Sequence, residues 1–238
     1  MIIHHPDDNL LTEYSSGSLA SALGVIVCAH LQSCPHCRKR VEQLNKLGAA
    51  ILNQSVTEAV QPESFDNLMA RIRSQKSEIA VGENSCKSSE AALTNLQELH
   101  PVYKNDPLLR NVPKIITKLL PLDGKLKWER VSSSLKTAPL KTGQSQYEVA
   151  FQRISSGGKV VEHDHRGLEV TMVLCGSFSD ENGVYNQGDF LVRNPGEVHR
   201  PTATQNQDCL CISVVEAPVK VTGLFGKLVN PFLSFRPA

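Results

Sequence analysis

Four side chains in the C-terminal part of the chain have the residue types and spacing of a metal site. His163 and His165 stand two positions apart, so on an extended strand both side chains point to the same face. Glu169 can return from the next strand after a turn, and His199 follows thirty residues later. Three imidazoles and one carboxylate suit zinc, iron, manganese, nickel or copper. The sequence therefore predicts one metal ion held by these four residues, the alternative being a structural histidine pair with nothing bound.

A second group of potential ligands lies near the N-terminus, in the pattern His-x3-Cys-x2-Cys formed by His30, Cys34 and Cys37. The proline after Cys34 is typical of a first helical position, which predicts a new helix with Cys34 at its N-cap. A helix N-terminus favours thiolates, and thiolates suit zinc. Structural zinc takes four ligands, so His4 and His5 are candidates for the fourth. Spacing alone also allows a pair of buried or redox-active cysteines.

Both ligand groups need elements to position them. Apolar residues at helical spacing predict three short helices within residues 7–53, and a fourth helix is predicted at Ser64–Arg73. Ser74–Glu90 is polar with little to bury and has the composition of a flexible linker. Beyond residue 105 the pattern changes to short β-type runs divided by turn residues, which indicates a β-sandwich or a small barrel. The clearest predicted strands are Tyr147–Ile154, Leu168–Leu174, Phe190–Val192 and Leu210–Val215.

The C-terminal ligands are embedded in a spacing that resembles the two motifs of the cupin superfamily. The first motif fits at every interval, with Gly157, His163, His165, Glu169 and Gly176. The second motif fits at Gly188, Gly196 and His199. It departs at Asn194, where proline is expected, and at Ala203, where asparagine is expected. Because these departures lie outside the ligands, the predicted metal site stands.

Together the two parts resemble the ChrR-type zinc-binding anti-sigma factors over essentially the whole chain. The resemblance is carried by His4-His5, Ala29-His30-Leu31, Cys34 to Cys37, His163-Asp164-His165-Arg166-Gly167-Leu168-Glu169, Asp208-Cys209-Leu210-Cys211 and Lys227-Leu228-Val229 with Pro231-Phe232. It implies that His5 is the fourth N-terminal ligand, with His4 as runner-up. We expect zinc in the N-terminal site, and zinc or alternatively iron, manganese or nickel in the cupin.

The resemblance implies an α+β chain of two domains. A zinc-stapled helical domain is expected at residues 1–75, a flexible linker at 76–105 and a cupin β-barrel (a double-stranded β-helix, or jelly roll) at 106–238. The linker would let the cupin signal without fixed packing against the helices. Three short helices also cannot bury all their apolar residues among themselves, so we expect exposed apolar faces for a partner. The residues concerned are Leu10, Leu19, Leu23, Ile26, Leu44, Leu47 and Ile51.

The implied function is that of an anti-sigma factor. Such a protein sequesters an extracytoplasmic-function (group IV) sigma factor, represses transcription, and releases its partner under oxidative stress from singlet oxygen or organic hydroperoxides. The alternative from another class is a metal-dependent cupin dioxygenase or isomerase acting on a small molecule. Because the barrel shows no acid, base or substrate anchor in its sequence, we expect a regulator without catalytic residues.

Composition limits the partners and the compartment. The net charge of +1 supplies no field to attract nucleic acid or an anionic membrane. No apolar run approaches the roughly 18–20 residues that span a bilayer, and the start lacks the pattern of a signal peptide. We therefore expect a cytoplasmic protein with reduced cysteines. Cys209 and Cys211 share a face of a predicted strand, either as small buried hydrophobic residues or as redox-sensitive thiols near the cupin metal. Along a strand their Cα atoms lie roughly 6.5–7 Å apart, which disfavours a disulfide between them.

Overall fold

The computed structural model of the protein describes residues 2–54, 61–79 and 100–222. The helices are α1 (Asp8–Ser16), α2 (Ser21–Ser33), α3 (Pro35–Asn53), α4 (Glu63–Ile79), α5 (Pro101–Asn105) and α6 (Lys114–Thr117). The strands are β1 (Glu129–Arg130), β2 (Leu135–Pro139), β3 (Glu148–Ile154), β4 (His163–Asp164), β5 (Glu169–Cys175), β6 (Ser177–Asp180), β7 (Gly183–Asn186), β8 (Phe190–Arg193), β9 (Val198–His199), β10 (Thr202–Ala203), β11 (Cys209–Val215) and β12 (Lys220–Val221). The expected α+β class, with helices before strands, is confirmed.

Local capping chemistry sets the ends of the N-terminal helices. Asp7 Oδ1 accepts a hydrogen bond from the Leu10 N–H at 2.8 Å and so caps the start of α1. Gly17 ends that helix in the left-handed region, at φ +75°. Cys34 separates α2 from α3, and its Sγ accepts from the Cys37 N–H at 3.4 Å, as an N-cap residue does. The predicted N-cap role of Cys34 is confirmed, and it brings the two cysteines together at one helix end.

The C-terminal strands form three antiparallel sheets that remain open. The largest has six strands in the order β1-β2-β3-β11-β5-β8, and two three-stranded sheets have the orders β10-β6-β7 and β12-β4-β9. Strand β11 lies inside the large sheet and pairs with β3 on one side and β5 on the other. The four clearest predicted strands are all observed to within one residue at each end. The arrangement is a cupin-like β-sandwich, and the closed barrel that the resemblance implied is not confirmed.

Helix α2 is buried against the strands. Ile26, Val27 and Ala29 have no exposed surface, and the helix contacts β5, β11 and α6. The Gln144 side chain, from the loop between β2 and β3, accepts a hydrogen bond from the Ala22 N–H at 3.1 Å and so satisfies a free donor at the helix start. Each fully buried aliphatic side chain of this size contributes about 1.5–3 kcal/mol. The apolar face expected to be open for a partner is, on α2, covered by the sheets.

The protein divides into two compact units, residues 1–48 with 100–238 and residues 49–99. The first unit joins the N-terminal helices to the strands. The expectation that the cupin does not pack against the helices is therefore wrong for residues 2–48, because the sheets bury the apolar face of α2. Sequence periodicity revealed this face, but it could not reveal what covers it.

The middle of the chain follows the sequence in part. Helix α4 confirms the helix predicted at Ser64–Arg73 and continues to Ile79, into the segment expected to be a linker. Residues 80–99 of that linker, which include Cys86, lie outside the described residues, and α5 occupies its final positions. The segment at 227–232 that contributes to the family resemblance also lies outside the described residues.

No single helix in the described part of the chain is long and apolar enough to cross a membrane. Helices α1 and α2 reach the required length and composition only as a pair, and they are bent by 109° at the break between them.

Replacing Ile26 with alanine tests the packing of α2. Its side chain is 0% exposed, so we expect the Ile26→Ala change to lower the free energy of unfolding by about 2–5 kcal/mol. Ile51, which is 61% exposed, provides the matched control, and Ile51→Ala should cost less than about 1 kcal/mol. Urea unfolding followed by circular dichroism measures both. Equal losses in the two variants would contradict the packing of α2 against the sheets.

Candidate metal centres

Ligand-type side chains converge where α2 ends and α3 begins. The Nδ1 atom of His5 lies 3.4 Å from the Sγ atoms of both Cys34 and Cys37. The Nε2 atom of His30 lies 3.3 Å from Cys37 Sγ and 3.5 Å from His5 Nδ1. Ligand atoms held tetrahedrally at zinc bond lengths of about 2.0–2.3 Å are roughly 3.3–3.8 Å from one another. The observed separations therefore fit a single zinc ion.

Two histidines compete for one position in this cluster. His36 Nδ1 lies 4.0 Å from Cys37 Sγ and within 4.8 Å of the other grouped ligand atoms, but its side chain is exposed. His30 is fully buried, and its Nδ1 is 2.9 Å from the carbonyl oxygen of Gly188. Because a carbonyl only accepts, Nδ1 carries the proton and Nε2 directs its lone pair at the cysteines. Distance and orientation both favour His30 over His36.

The geometry also separates His5 from His4. The ring of His4 packs on the ring of Tyr185, with centroids 4.7 Å apart, and its backbone N–H donates to Asp189 Oδ1 at 3.1 Å. The ring of His5, by contrast, faces Cys34 and Cys37. The geometry thus favours His5, the choice that the family resemblance implied.

Burial controls protonation in the N-terminal cluster. It raises the pKa of the Cys37 thiol to about 12, with the hydrogen bond and charge of Cys34 acting in the same direction. It also lowers the pKa of His30 to about 4, although the hydrogen bond that His30 Nδ1 donates to the Gly188 carbonyl acts in the opposite direction. Burial therefore outweighs the expected effect of the helix N-terminus on Cys37. A cation reverses this balance, because a metal-bound thiol is deprotonated outright.

The second cluster forms where β4, β5 and β9 meet. His163 on β4 pairs directly with His199 on β9, and their Nε2 atoms are 3.1 Å apart. The Nε2 atom of His165 lies 3.2 Å from Oε2 of Glu169, the first residue of β5. The three imidazole rings have centroids 4.6–5.1 Å apart, and their ligand atoms lie within 4.8 Å of one another. All four predicted residues are buried and come together at one place.

Each histidine of this second cluster uses its Nδ1 on an acceptor outside it. The acceptors are the Val161 carbonyl at 2.9 Å for His163, the Glu197 carbonyl at 2.6 Å for His165 and Asp180 Oδ2 at 3.2 Å for His199. A neutral imidazole carries one N–H, so the three Nε2 atoms turn their lone pairs towards one another. The buried Nε2 of His165 makes no aligned hydrogen bond, even to the nearby Glu169. Facing lone pairs with a buried unpaired nitrogen fit a bound cation.

The carboxylate of this cluster is held in its charged form. Burial by itself raises the pKa of Glu169, but the close contact with His165 and the charges of the three histidines lower it to about 2. Burial lowers the pKa of His163, and it lowers that of His199 to about 4. Burial acts the same way on His165, but the contact with Glu169 outweighs it and raises that pKa. A charged carboxylate facing imidazole lone pairs is a set of ligands that suits zinc, iron, manganese or nickel.

Cys209 and Cys211 lie on β11, the strand that pairs with β5. Their Sγ atoms are 3.7 Å apart, and both side chains are buried in the apolar core of the sheets. The hydrogen bond between Cys211 and Cys209, together with burial and the charges of Cys209 and Glu169, raises the pKa of Cys211 well above its usual range. A shift in the register of β11 between Leu210 and Cys211 accompanies the close approach of the two thiols.

Comparison with known proteins agrees with these observations. Residues 121–219 match the family of the ChrR cupin-like domain. The anti-sigma-E factor ChrR of Cereibacter sphaeroides is 28% identical over 235 residues, which cover 97% of this chain and 98% of that protein. The crystal structure of Rhodobacter sphaeroides SigE in complex with the anti-sigma ChrR matches 90% of this chain and 100% of that one, with a TM-score of 0.67 and 26% identity. The chain is ChrR-like along its whole length.

Likeness to an anti-sigma factor supports a non-enzymatic regulator. It does not support the dioxygenase or isomerase considered from the sequence. The chain contains two clusters with the donor atoms of metal sites.

Sequence reasoning missed the residues that support the ligands. Asp180, Asp189 and Arg193 were not among the residues predicted for either site. In the structure, Asp180 holds His199 and Asp189 holds the backbone beside His5. The one local signal for these supporting residues was Asp189, which directly follows the motif glycine Gly188. A carboxyl group that is buried at such a position requires hydrogen-bonding partners.

Zinc affinity distinguishes His30 from His36. We expect His30→Ala to weaken zinc binding at the N-terminal cluster by at least about 100-fold, because a ligand is lost. His36→Ala, the matched control, should change the affinity less than about threefold. Competition with a chromophoric chelator measures both constants. The opposite order would assign His36 as the ligand.

Stability should fall as the pH falls from 6.5 to about 4. In this window the unfolded chain binds a proton at His30 that the folded chain, with its lowered pKa, does not bind. The shift corresponds to a loss on the order of 3 kcal/mol, and a bound metal ion acts in the same direction because only the neutral ring binds it. Urea unfolding at several pH values measures this slope. The slope should be smaller in His30→Gln and unchanged in His36→Gln, and an equal slope in all three proteins would contradict it.

Proposed function

We propose that this chain is an anti-sigma factor that sequesters an extracytoplasmic-function sigma factor of group IV and so represses transcription. The observation that carries the proposal is the likeness to ChrR over nearly the full length of both chains, together with the match to a ChrR chain solved in complex with SigE. The proposed division of labour assigns sigma-factor binding to residues 1–75 and sensing to residues 106–238. The cytoplasm is the proposed location, since a sigma factor acts on RNA polymerase there.

Helix α4 supports this proposal with an apolar face that nothing in the described residues covers. Phe65, Leu68 and Ile72 stand at positions i, i+3 and i+7, which lie on one side of a helix, and all three are exposed. The end of α3 likewise exposes Ile51 and Leu52. Exposed apolar faces of this kind mark protein interaction sites. Helix-in-groove recognition uses anchors at the same spacing. The occupant we propose is the sigma factor, because the ChrR of the solved complex is bound to one.

The N-terminal cluster has the donor set for a structural zinc ion. His5, His30, Cys34 and Cys37 are the ligands we propose. Zinc bound there would join the segment before α1 to the junction of α2 and α3. Because this small helical segment has few buried residues in α1 and α3, zinc would add folding free energy. The same ion would fix the direction in which α3 leaves the cupin.

The second cluster is the sensing site that we propose. His163, His165, Glu169 and His199 would hold zinc, or alternatively iron, manganese or nickel. Organic hydroperoxides or singlet oxygen are the signals implied by the family. Cys209 and Cys211 are the proposed redox thiols.

Replacing Leu68 with glutamate tests the docking face. The side chain is 54% exposed, so the fold should tolerate the charge, whereas a buried interface should not. If Leu68 anchors the complex, Leu68→Glu should weaken sigma-factor binding by at least about 30-fold, corresponding to about 2 kcal/mol. Titration calorimetry with the purified sigma factor measures the affinity.

Leu122 offers a matched control, since it is 74% exposed and lies outside α3 and α4. Leu122→Glu should bind the sigma factor as the parent chain does. Unchanged binding in Leu68→Glu would remove α4 from the interface. Absence of binding in the parent chain would contradict the anti-sigma function itself.

A further inference from the structure

His4, which the geometry leaves out of the metal cluster, is attached to the turn between β7 and β8. Its N–H and that of Ile3 donate to Asp189 Oδ1 at 3.1 and 2.8 Å. Its carbonyl oxygen accepts from the Phe190 N–H at 3.1 Å. These three hydrogen bonds hold the backbone immediately before His5, so the position of that ligand depends on the turn.

A continuous series of side-chain contacts leads from His4 to the second cluster. The ring of His4 packs on Tyr185, whose hydroxyl oxygen accepts from Arg193 Nη2 at 3.0 Å. The same Nη2 donates to Asp180 Oδ2 at 2.7 Å. That oxygen also accepts from His199 Nδ1 at 3.2 Å. Tyr185, Arg193 and Asp180 thus join a residue beside one ligand cluster to a ligand of the other.

The groups in this series are buried, so each of them needs a hydrogen-bonding partner within the protein. The side chains of Asp180 and Arg193 are 0% and 13% exposed, and Tyr185 and His199 are buried as well. In such surroundings hydrogen bonds to charged groups are strong, and losing one partner leaves the others uncompensated. A change at His199 is therefore not absorbed by water. It has to be taken up by Asp180, Arg193 and Tyr185.

A shorter contact ends on the same turn. The carbonyl oxygen of Gly188 fixes the ring of His30, whose Nε2 faces the cysteines. Gly188 has φ +93°, and a Cβ atom there would lie 2.6 Å from Ile2 Cδ1. The turn between β7 and β8 thus contacts His30 directly and holds the backbone immediately before His5.

We propose that Tyr185, Arg193 and Asp180 couple the two clusters, so that metal binding at the cupin strengthens metal binding at the N-terminal cluster. The inference rests on the proposed function only in taking both clusters as metal sites. When His199 is held by an ion, its Nδ1 faces Asp180, the guanidinium keeps its place, and the Tyr185 ring supports His4. When that ion is lost, His199 is released and the support weakens. By linkage, the effect is equal in both directions.

The test measures the metal affinity of the N-terminal cluster in the full chain. Cobalt(II) bound by thiolates absorbs strongly in the near ultraviolet, so cobalt reports this cluster and not the cupin cluster. Zinc titrated into the cobalt-loaded chain displaces it and gives the zinc affinity. His165→Ala disables the cupin cluster without touching the coupling residues.

In the parent background, we expect His165→Ala to lower the zinc affinity of the N-terminal cluster by about 5–100-fold, the range of ordinary site coupling. Tyr185→Phe removes only the hydroxyl that accepts from Arg193. In that background the effect of His165→Ala should fall below about threefold. Arg193→Gln should give the same result, because it removes the Nη2 atom that donates to both Asp180 and Tyr185.

Tyr103→Phe is the matched control, because Tyr103 is buried and donates its hydroxyl to the Pro121 carbonyl, away from both clusters. It should leave the effect of His165→Ala at its parent value. The proposal is overturned if His165→Ala does not change the parent affinity, or if its effect is the same in the Tyr185→Phe background. Sigma-factor binding is measured separately, so a parent chain that shows the coupling but binds no sigma factor contradicts the proposed function alone.

Discussion

A buried carboxyl group, that of Asp189, supports much of this structure. One oxygen accepts from the backbone of Ile3 and His4, and the other accepts from the Asn186 N–H at 2.8 Å. Leaving buried donors of this kind unsatisfied costs about 1–3 kcal/mol for each group. With the carboxyl in place, the segment before α1 lies against the sheet, His5 faces the cysteines, and α2 can bury its apolar face on the strands. Both ligand clusters thereby belong to one packed unit.

Both clusters are buried, but their ligands are held in different protonation states. The cupin cluster holds its carboxylate charged through neighbouring imidazoles, and it is ready for an ion at neutral pH. The N-terminal cluster holds Cys37 protonated, so an ion must displace a proton as it binds. Metal uptake at the N-terminal cluster is thus more sensitive to pH, and its thiols favour a softer ion than the oxygen and nitrogen donors of the cupin.

Sequence patterns predicted the elements and the ligand types because both depend on local spacing. The position of Cys34 at a helix start and the approach of Glu169 to His165 across a turn follow from a few neighbouring residues. The geometry that favours His5 over His4 and His30 over His36 depends on contacts with Tyr185 and Gly188, more than 150 positions away. The support of His199 by Asp180 was missed for the same reason, since nothing in a turn sequence reveals a partner on another sheet. Packing of α2 on the strands likewise depends on distant residues.

The hydrogen bonds between the first residues and the turn at 188–190 join positions about as far apart as the described chain allows. On the ribosome, the N-terminal helices emerge first, whereas the turn that completes their surroundings appears much later. At roughly 5–20 residues per second, the delay is on the order of ten seconds. Throughout that interval the two cysteines and the apolar face of α2 have been synthesised, but the sheet that covers them has not. In a newly made chain Cys34 and Cys37 are therefore accessible before the sheet that orders them has been made.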